Sequence, residues 1–213
     1  MAQVLLASRN AKKLRELRAV VERAGIVGLE VVGLDDLPPF EELPEDAPDF
    51  AGNALIKARQ GFAMTGLPCL ADDSGICVDA LNGMPGLLSA RWSGRHGDDQ
   101  ANLRLLLDQL SDVPDARRGA HFLSVCALVG DPGRVPGGAV TVEGVWRGTL
   151  LRAPRGDGGF GYDPIFLPDG AGADGAGAAR LTAAEMTPEA KNAVSHRARA
   201  LAQLVEPLRA LAG

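Results

Sequence analysis

The chain has 213 residues, of which 46% are hydrophobic and 23% are charged, and its formal net charge is −5 at pH 7. This composition is typical of a globular protein, and the length suffices for one large domain or two small lobes with a sizeable core. The acidic balance argues against a sequence-independent grip on DNA or RNA, which needs clustered Lys and Arg, but it leaves room for a small anionic ligand.

The cysteines and the N-terminal segment predict where the protein works. Cys69, Cys77 and Cys126 lie in apolar runs, and their odd number and spacing suit neither a disulfide framework nor a zinc knuckle. Residues 1–7 form a short apolar start that basic residues follow, which is the wrong order for a signal peptide. No stretch approaches the roughly 20 apolar residues of a membrane span. We therefore expect buried free thiols, a cytoplasmic location, and neither a membrane nor a nucleic acid as partner.

The first predicted elements are a strand over residues 4–7 and a helix that begins at Ala11 and stops near Gly25. Ser8 and Asn10 lie at the junction between them. Hydroxyl, amide and free N–H groups at a helix N-terminus form a site that accepts phosphate. The junction also carries two cationic side chains, Lys12 and Lys13. The alternative, which these residues alone favour, is an N-capped surface helix with solvated lysines.

A second strand is predicted over residues 29–34, followed by an acidic, proline-rich and irregular loop over residues 35–49. A helix over residues 50–64 comes next. Most acids of the loop, Glu45 among them, are expected in solvent, although one or two can point into a cleft. Lys57 on the helix is either a surface lysine or a cation that lies between this loop and the next strand.

Residues 67–78 combine two apolar runs with the polar segment Asp-Asp-Ser-Gly at positions 72–75. The expected structure is a buried strand over residues 67–71 that delivers the acids to its end, a tight turn, and a return over residues 76–78. Carboxylates at a strand end near glycines hold a hard cation such as Mg²⁺ or act as a base. The alternative is a plain turn built from turn-forming residues, and this stretch alone leaves both interpretations open.

The middle of the chain predicts scaffold elements. Residues 98–110 show the apolar stripe of an amphipathic helix and carry no catalytic signal. Residues 120–129 and 139–148 predict two long strands, and the Gly/Pro-rich connection over residues 130–138 makes them a hairpin. At least one antiparallel pair is therefore expected in the sheet.

Residues 153–166 are rich in glycine and place Phe160 among residues with little side chain to pack. A ring held up by glycines is what a stacking platform for a planar base requires. The alternative is a glycine-rich surface loop, which would leave an exposed phenylalanine without a structural purpose. Asp163 follows, just before a proline-led apolar run.

The C-terminal third begins with a predicted flexible insertion over residues 169–179. Two helix starts follow, a capping box from Thr182 to Glu185 and an N-cap at Thr187 with Pro188 in the first helical position.

The final helix is predicted to be separated from the preceding one at Ser195. His196 and Arg197 then lie in its first turn, where basic side chains oppose the helix dipole, so an anionic ligand nearby would explain them. Lys191 lies just upstream. The alternative is a basic surface helix, which composition alone does not reject.

Together these motifs resemble the inosine triphosphate pyrophosphatase family, also called XTP/dITP diphosphatases, of the bacterial type. The resemblance covers nearly the whole chain in order, and its motifs occupy residues 8–13, 45–58, 71–91, 154–164 and 191–197. The Asp-Asp-Ser-Gly and Phe-Gly-Tyr-Asp blocks are the specific ones. The resemblance implies a single domain over residues 1–213, normally a homodimer. Its α/β fold would be a long twisted mixed β-sheet with flanking helices, in two lobes around a central nucleotide-binding cleft.

The implied activity is Mg²⁺-dependent hydrolysis of a purine nucleoside triphosphate. Water would attack the α-phosphorus and yield a monophosphate and pyrophosphate, with hypoxanthine and xanthine as the preferred bases. The purpose would be to cleanse the nucleotide pool of deaminated purines. A pocket of hydrogen-bond donors accepts the 6-keto group of these bases but leaves a buried donor unpaired with adenine, which costs roughly 1–3 kcal/mol per group.

The resemblance also implies the site residues. Asp73 would be the catalytic base and a metal ligand, with Asp72 and Glu45 as further metal carboxylates. The substrate-binding residues would be Ser8, Arg9, Asn10, Ala11, Lys12, Lys13, Lys57, Ser74, Phe160, Gly161, Tyr162, Asp163, Lys191, His196 and Arg197. Among these, Phe160 would stack on the purine, and Asp163, Lys191, His196 and Arg197 would contact its edge.

Three departures from the family pattern accompany the resemblance. Arg9 stands where the family usually has glycine, and Asp46, Ala47 and Gly52 replace more typical residues around Glu45 and Asn53. The insertion at residues 171–180 lies between the base-binding motifs and is a candidate flap. The competing interpretations are a Maf-type pyrophosphatase with another base preference and a nucleotide-binding module without turnover, which would gain nothing from a water-activating carboxylate.

Overall fold

The structure is a computed structural model that describes residues 1–38, 40–41, 43–170 and 180–213. The flap expected at residues 171–180 lies, except for Arg180, outside the described residues. In the part of the chain that is described, no helix has the length and apolar character needed to cross a membrane.

Within the described residues, six strands form one sheet in the order β2-β1-β3-β4-β5-β6. The strands are β1 (Ala2–Leu6), β2 (Leu29–Gly33), β3 (Cys69–Val78), β4 (Gly119–Val129), β5 (Ala139–Leu150) and β6 (Phe166–Pro168). β1 runs parallel to β2 and to β3, whereas β5 and β6 are antiparallel. The predicted mixed sheet, with at least one antiparallel pair, is therefore confirmed.

Six α-helices flank this sheet in the described residues. They are α1 (Ala11–Arg23), α2 (Phe50–Thr65), α3 (Asp99–Gln109), α4 (Pro188–Val194), α5 (His196–Gln203) and α6 (Val205–Ala212). Short 3₁₀ turns occupy Leu34–Asp36, Asp79–Leu81, Gly86–Arg91, Asp115–Arg117, Pro136–Gly138 and Asp163–Ile165. The helices lie where the periodicity places them, except that the single final helix predicted after Ser195 is two helices, α5 and α6, which are separated at Leu204. Together with the sheet they confirm the predicted α/β class.

The chain divides into two compact units, each built from separate segments. The first contains Met1–Asp73, Ser124–Gly144 and Arg197–Gly213, and the second contains Ser74–Leu123 and Val145–His196. The single domain over residues 1–213 and its cleft stay predictions.

The first unit is held together by aliphatic packing around β1. Leu6 of β1, Leu17 of α1 and Leu70 of β3 are fully buried, and the same cluster includes Leu204, between α5 and α6, and Leu208 of α6. Each fully buried leucine stabilises the fold by roughly 1.5–3 kcal/mol. This packing fixes β1, α1 and the first residues of β3, next to the predicted phosphate and metal residues.

The second unit has an aromatic core. Phe122 of β4 lies 6.3 Å from the ring of Trp146 and 4.8 Å from the ring of Phe166, centroid to centroid. The Phe122–Phe166 contact is edge-to-face, an arrangement that the ring quadrupole favours. Tyr162 and Ile165, from the glycine-rich segment before β6, belong to the same buried cluster as these rings.

The predicted turn at positions 72–75 is wrong. β3 runs without interruption from Cys69 to Val78, so both aspartates lie in the middle of a strand. Gly75 serves close packing instead of a turn, because a Cβ atom there would lie 2.3 Å from the Gly86 carbonyl oxygen and 2.6 Å from Ser89 Oγ. Neighbouring residues of a strand point to opposite faces, so Asp72 and Asp73 enter different surroundings.

The predicted helix start at Thr182 is also wrong, although half of the capping box forms. The Thr182 N–H donates to Glu185 at 2.8 Å, but the chain makes only a turn, because Thr182 Oγ1 and Glu185 both bind Arg155 of the glycine-rich segment. The helix begins instead at Pro188, with Thr187 as N-cap. The predicted separation at Ser195 is confirmed, since Ser195 has extended backbone between α4 and α5.

Candidate active site

The junction between β1 and α1 forms the polar turn that the sequence predicts. Asn10 Oδ1 accepts hydrogen bonds from the backbone N–H groups of Lys12 at 2.9 Å and Lys13 at 3.4 Å. Ser8 Oγ accepts one from the Asn10 N–H at 3.2 Å. Ala11 is the first residue of α1. The turn is thus preorganised by its own side chains, and phosphate binding by these residues stays a prediction.

The backbone conformation at position 9 does not require the glycine that the family usually has there. Among the described non-glycine residues only Asn82 has a positive φ, so the backbone of Arg9 adopts an ordinary conformation. Its guanidinium lies 3.7 Å from Asp35 on the surface. This departure from the family pattern therefore leaves the turn intact.

Asp72 lies at the centre of a buried ion-pair cluster in the first unit. Its side chain is fully buried, Lys13 Nζ lies 2.7 Å from Oδ2, and the Arg197 guanidinium contacts Oδ1. Burial alone would raise the pKa of Asp72, but the charges and hydrogen bonds of Arg197 and Lys13 outweigh burial and hold it far below its usual range. Asp72 is therefore a permanent anion that positions two cations.

Arg197 is bound on two sides within the first unit. Its Nε lies 3.0 Å from Glu16 of α1, besides the contact with Asp72. Burial works against its charged form, but the Asp72 carboxylate prevails and raises the pKa of Arg197. Its predicted contact with the purine edge stays a prediction.

Asp73 faces a different group of side chains. Its Oδ2 accepts a hydrogen bond from Asn53 Nδ2 at 2.9 Å, and its Oδ1 lies 3.9 Å from Lys57 Nζ. Glu45 Oε2 lies 3.2 Å from the same ammonium. The Asp73 side chain is 16% exposed. Asp73 thus combines partial access to solvent with a nearby cation, which is what a base acting on water near phosphate needs.

Asn53 is a site residue that the prediction missed. It is 2% exposed, and its Oδ1 accepts a hydrogen bond from the Ala47 N–H at 3.0 Å. Because that backbone group only donates, the amide must turn its NH₂ toward Asp73. The available signal was its spacing, since Asn53 and Lys57 are four residues apart on one face of α2.

The carboxylates present fit Mg²⁺ in part. Among the described residues, no group of three His, Cys, Asp or Glu side chains is arranged to hold a metal ion. Glu45 and Asp73 nevertheless converge on one positive charge, at 3.2 and 3.9 Å from Lys57 Nζ. Mg²⁺ is commonly bound by one or two carboxylates together with substrate phosphates and water. The geometry therefore favours Glu45 and Asp73 as the metal pair, whereas Asp72 is engaged by Lys13 and Arg197.

In the second unit, Phe160 is mounted as the sequence predicts. Its side chain is exposed, with 59% of the residue accessible, and Lys191 Nζ lies 5.0 Å from the ring centroid. Its backbone N–H donates to Asp163 Oδ2 at 2.8 Å, and the Gly161 N–H donates to Asp99 Oδ2 at 2.9 Å. Asp99 is a second residue that the prediction missed.

The other residues predicted to contact the base make contacts with protein groups of the second unit. Asp163 is buried and paired with Lys191 Nζ, while the Tyr162 hydroxyl donates to the Ser89 carbonyl at 2.9 Å. Burial, and less strongly the Asp99 carboxylate, raise the pKa of Tyr162. His196 stacks on Phe122 with 5.0 Å between ring centroids. Ser74 follows Asp73 on β3 and is half-buried. Substrate contacts by these residues stay predictions.

Comparison with known proteins gives one consistent result. The sequence model of the Ham1 family matches residues 4–207. A dITP/XTP pyrophosphatase from Nocardia farcinica is 62% identical over 213 residues, covering 100% of this chain and 97% of that protein. A crystal structure of a nucleoside-triphosphatase / dITP/XTP pyrophosphatase from Mycobacterium abscessus is 60% identical, with a TM-score of 0.76, and the match covers 95% of this chain and 97% of that one.

A HAM1 protein from Coxiella burnetii is 37% identical and has a TM-score of 0.81, with 98% of each chain covered. The agreement extends over the full length, which includes the turn before α1, the acidic strand β3 and the glycine-rich segment around Phe160. The resemblance inferred from the motifs is confirmed, and the chain belongs to the Ham1 family.

Proposed function

We propose that this protein hydrolyses deaminated purine nucleoside triphosphates, ITP, dITP and XTP, to the monophosphate and pyrophosphate, and so cleanses the nucleotide pool. The relatives at 62% and 59% identity carry the name dITP/XTP pyrophosphatase. The observation that carries the proposal is the arrangement of Asp73, held by Asn53 at 2.9 Å and facing Lys57. A module that only binds nucleotide needs no such carboxylate.

In the proposed reaction, Asp73 orients a water molecule and accepts its proton as the oxygen bonds to the α-phosphorus. The bond from that phosphorus to the oxygen that bridges to the β-phosphate breaks, and pyrophosphate leaves with the electron pair. Lys57 and the N-terminus of α1 stabilise the negative charge that develops on the leaving group. Mg²⁺, held by Glu45 and Asp73, would neutralise phosphate charge when bound.

Base recognition is assigned to the second unit. Phe160 offers its exposed ring to the purine, and Lys191 carries only hydrogen-bond donors. A 6-keto group accepts such bonds, whereas the 6-amino group of adenine leaves a donor unpaired, at roughly 1–3 kcal/mol. ITP and XTP are therefore preferred over ATP.

The homodimer and the cytoplasmic location are part of the same proposal, as they suit an enzyme that acts on free nucleotides. A Maf-type preference for other bases is the remaining alternative. Phe160 favours a purine over a pyrimidine, because the larger ring system stacks over more area.

The test is a nucleotide panel of ITP, XTP, dITP, GTP, ATP and a pyrimidine triphosphate, with phosphate and pyrophosphate measured separately in the presence of Mg²⁺. Pyrophosphate is expected to form fastest from ITP, dITP and XTP. Asp73→Asn is expected to lower kcat by about 10²–10⁴-fold while nucleotide binding persists. Asp108→Asn, an exposed aspartate on α3, is the matched control with full activity.

Two results would contradict the proposal at different levels. Equal rates on ITP, ATP and GTP would remove the specificity for deaminated purines and leave the hydrolase. Unchanged turnover in Asp73→Asn would remove Asp73 from its role as base.

A further inference from the structure

We propose that Asp99 is a positioning residue for purine recognition, because its carboxylate holds the peptide group on which the Phe160 ring is mounted. The inference rests on the proposed function in one respect, that Phe160 faces a purine. It adds a residue from α3, an element that the sequence indicates only as scaffold.

Both peptide groups that flank the Phe160 Cα are anchored by carboxylates. The Phe160 N–H belongs to the preceding peptide group and donates to Asp163 Oδ2 at 2.8 Å. The Gly161 N–H belongs to the following one and donates to Asp99 Oδ2 at 2.9 Å. Because peptide groups are planar, fixing both of them fixes φ and ψ of Phe160, and with them the direction of its Cα–Cβ bond.

Phe160 also has contacts of its own, because its carbonyl accepts a hydrogen bond from the Asp163 N–H at 3.2 Å and Lys191 Nζ lies 5.0 Å from its ring centroid. The residue is 59% exposed, so packing restrains its ring little. Its neighbours Gly159 and Gly161 have φ values of +76° and +58°, a region that glycine enters freely. A Cβ atom on Gly159 would lie 2.2 Å from Asp163 Oδ2, so glycine there lets that carboxylate approach. With glycine on both sides of Phe160, the segment depends on these hydrogen bonds to keep one backbone conformation.

The two anchors differ in what they connect. Asp163 lies three residues from Phe160 in the same segment and also pairs with Lys191. Asp99 lies on α3, so its bond ties the segment to a separate helix. The helix start does not depend on Asp99, because Asp98 is the N-cap and accepts from the Ala101 N–H at 3.0 Å. The Asp99 side chain can therefore be removed while α3 keeps its cap.

The position of Asp99 predicts a selective effect on base recognition. In Asp99→Ala the peptide group after Phe160 loses its bond to α3 and keeps only the bond from the Asp163 N–H to the Phe160 carbonyl, so the ring is held less firmly when a purine stacks on it. We expect KM for ITP to rise about tenfold, the scale of one hydrogen bond to a charged group, with little change in kcat. Inhibition by inorganic tripolyphosphate, which has no base, is expected to stay unchanged. Asp99→Asn keeps an acceptor oxygen and should restore most of the affinity.

The experiment compares the wild-type protein with Asp99→Ala, Asp99→Asn and the control Gln109→Ala. The control removes a bond at the other end of α3, where Trp92 Nε1 donates to Gln109 at 2.7 Å. Steady-state kinetics on ITP, the inhibition constant of tripolyphosphate, and amide hydrogen exchange of Gly161 by NMR are measured for each protein. A higher KM and faster Gly161 exchange only in Asp99→Ala, at a constant tripolyphosphate affinity, support the proposal.

An unchanged KM for ITP, or an equal loss of tripolyphosphate affinity, would overturn it, as would the same loss in Gln109→Ala. If the wild-type protein does not hydrolyse ITP, the proposed function fails and the exchange data decide the role of Asp99 alone. Slow Gly161 exchange in the wild type and fast exchange in Asp99→Ala then support the anchor, whereas equal rates refute it.

Discussion

At the scale of single residues, Asp72 is a buried carboxylate that two cations share. Lys13 and Arg197 contact its two oxygens, and Glu16 binds Arg197 at 3.0 Å, so two anions balance two cations inside the first unit. The pairs connect α1, β3 and α5. Removing one of these buried charges would leave its partners buried without compensation, which strongly destabilises the fold.

We predict that Asp72→Asn lowers the free energy of unfolding by about 3–5 kcal/mol, because it leaves two largely buried cations without their shared anion. The matched control is Asp35→Asn, which removes an exposed pair with Arg9 at 3.7 Å and should cost at most about 1 kcal/mol. Urea unfolding at pH 7 measures both. Similar losses in the two variants would contradict a buried ion-pair cluster.

The same variant has a pH signature. The pKa of Asp72 is lowered in the folded state, so its contribution is complete above the ordinary aspartate pKa of about 4 and is lost progressively below it. Wild-type stability should therefore fall more steeply below about pH 4 than the stability of Asp72→Asn. If the unfolding free energies of the wild type and Asp72→Asn fall equally with pH below about pH 4, Asp72 is not the source of this pH dependence.

The residue types of the site were predictable, but their pairing was not. Asp72, Asp73, Lys13 and Lys57 stand out because acids and lysines border apolar runs at the ends of predicted elements. Which cation meets which acid depends on contacts between distant segments. Asn53 was missed for a related reason, since an amide in a helix gives no signal until its partners are known.

At the scale of elements, the irregular acidic loop is held in place by α2. The Ala47 N–H donates to Asn53 Oδ1 at 3.0 Å and the Leu43 N–H donates to Gln60 Oε1 at 3.0 Å. Asn53 and Gln60 are two helical turns apart on one face of α2. Glu45 lies between these anchored positions, which explains how a proline-rich loop without regular structure presents a defined carboxylate.

We predict that Gly52→Ala displaces this loop. A Cβ atom at position 52 would lie 2.4 Å from the Ala47 Cβ, so the loop or the helix must shift. The expected cost in unfolding free energy is about 1–3 kcal/mol. Because Glu45 is proposed to hold Mg²⁺, its displacement should also raise the Mg²⁺ concentration that activity requires. The sign of the stability change tests this contact, because Gly→Ala inside a helix otherwise stabilises the protein by roughly 0.5–1 kcal/mol.

Urea unfolding and Mg²⁺ titration of activity test this prediction. Gly133→Ala is the control, because a Cβ atom there meets nothing within 4 Å and its φ is not positive. If Gly52→Ala matches Gly133→Ala in both measurements, the contact between loop and helix does not position Glu45. The pair Gly52 and Ala47 also shows why departures from a family pattern should be judged together, since the two small residues occupy one contact.

Helices and most strands followed from periodicity and capping, whereas the acidic segment of β3 did not. Asp-Asp-Ser-Gly has the local preferences of a turn, and tertiary contacts override them. Asp72 is drawn into the strand by Lys13 and Arg197, and Asp73 by Asn53. The local sequence pattern contains none of these distant partners. It therefore indicated the chemistry of the segment but predicted a turn where the structure has a strand.

At the scale of the whole molecule, the two units carry different kinds of side chain. The first holds the acids and lysines suited to phosphate and metal, around Asp73 and Lys57. The second holds the exposed ring of Phe160 and the Lys191 ammonium near it. The proposed roles of these side chains differ, phosphate chemistry in the first unit and base stacking in the second, so variants in the two units should alter different kinetic constants.

We predict that Phe160→Ala and Lys57→Met separate binding of the base from catalysis. Stacking on an aromatic ring is worth about 1–3 kcal/mol per base and is available to every purine. Phe160→Ala should therefore raise KM for ITP and ATP by a similar factor and leave their ratio of kcat/KM unchanged. Lys57→Met removes the charge that, in the proposed reaction, stabilises the leaving pyrophosphate, so kcat should fall on both nucleotides. Met64→Ala, at the same 59% exposure as Phe160, controls for loss of a surface side chain. A fall in kcat without a change of KM in Phe160→Ala would place the ring in the chemical step, and a selective loss for ITP would make it a determinant of base choice.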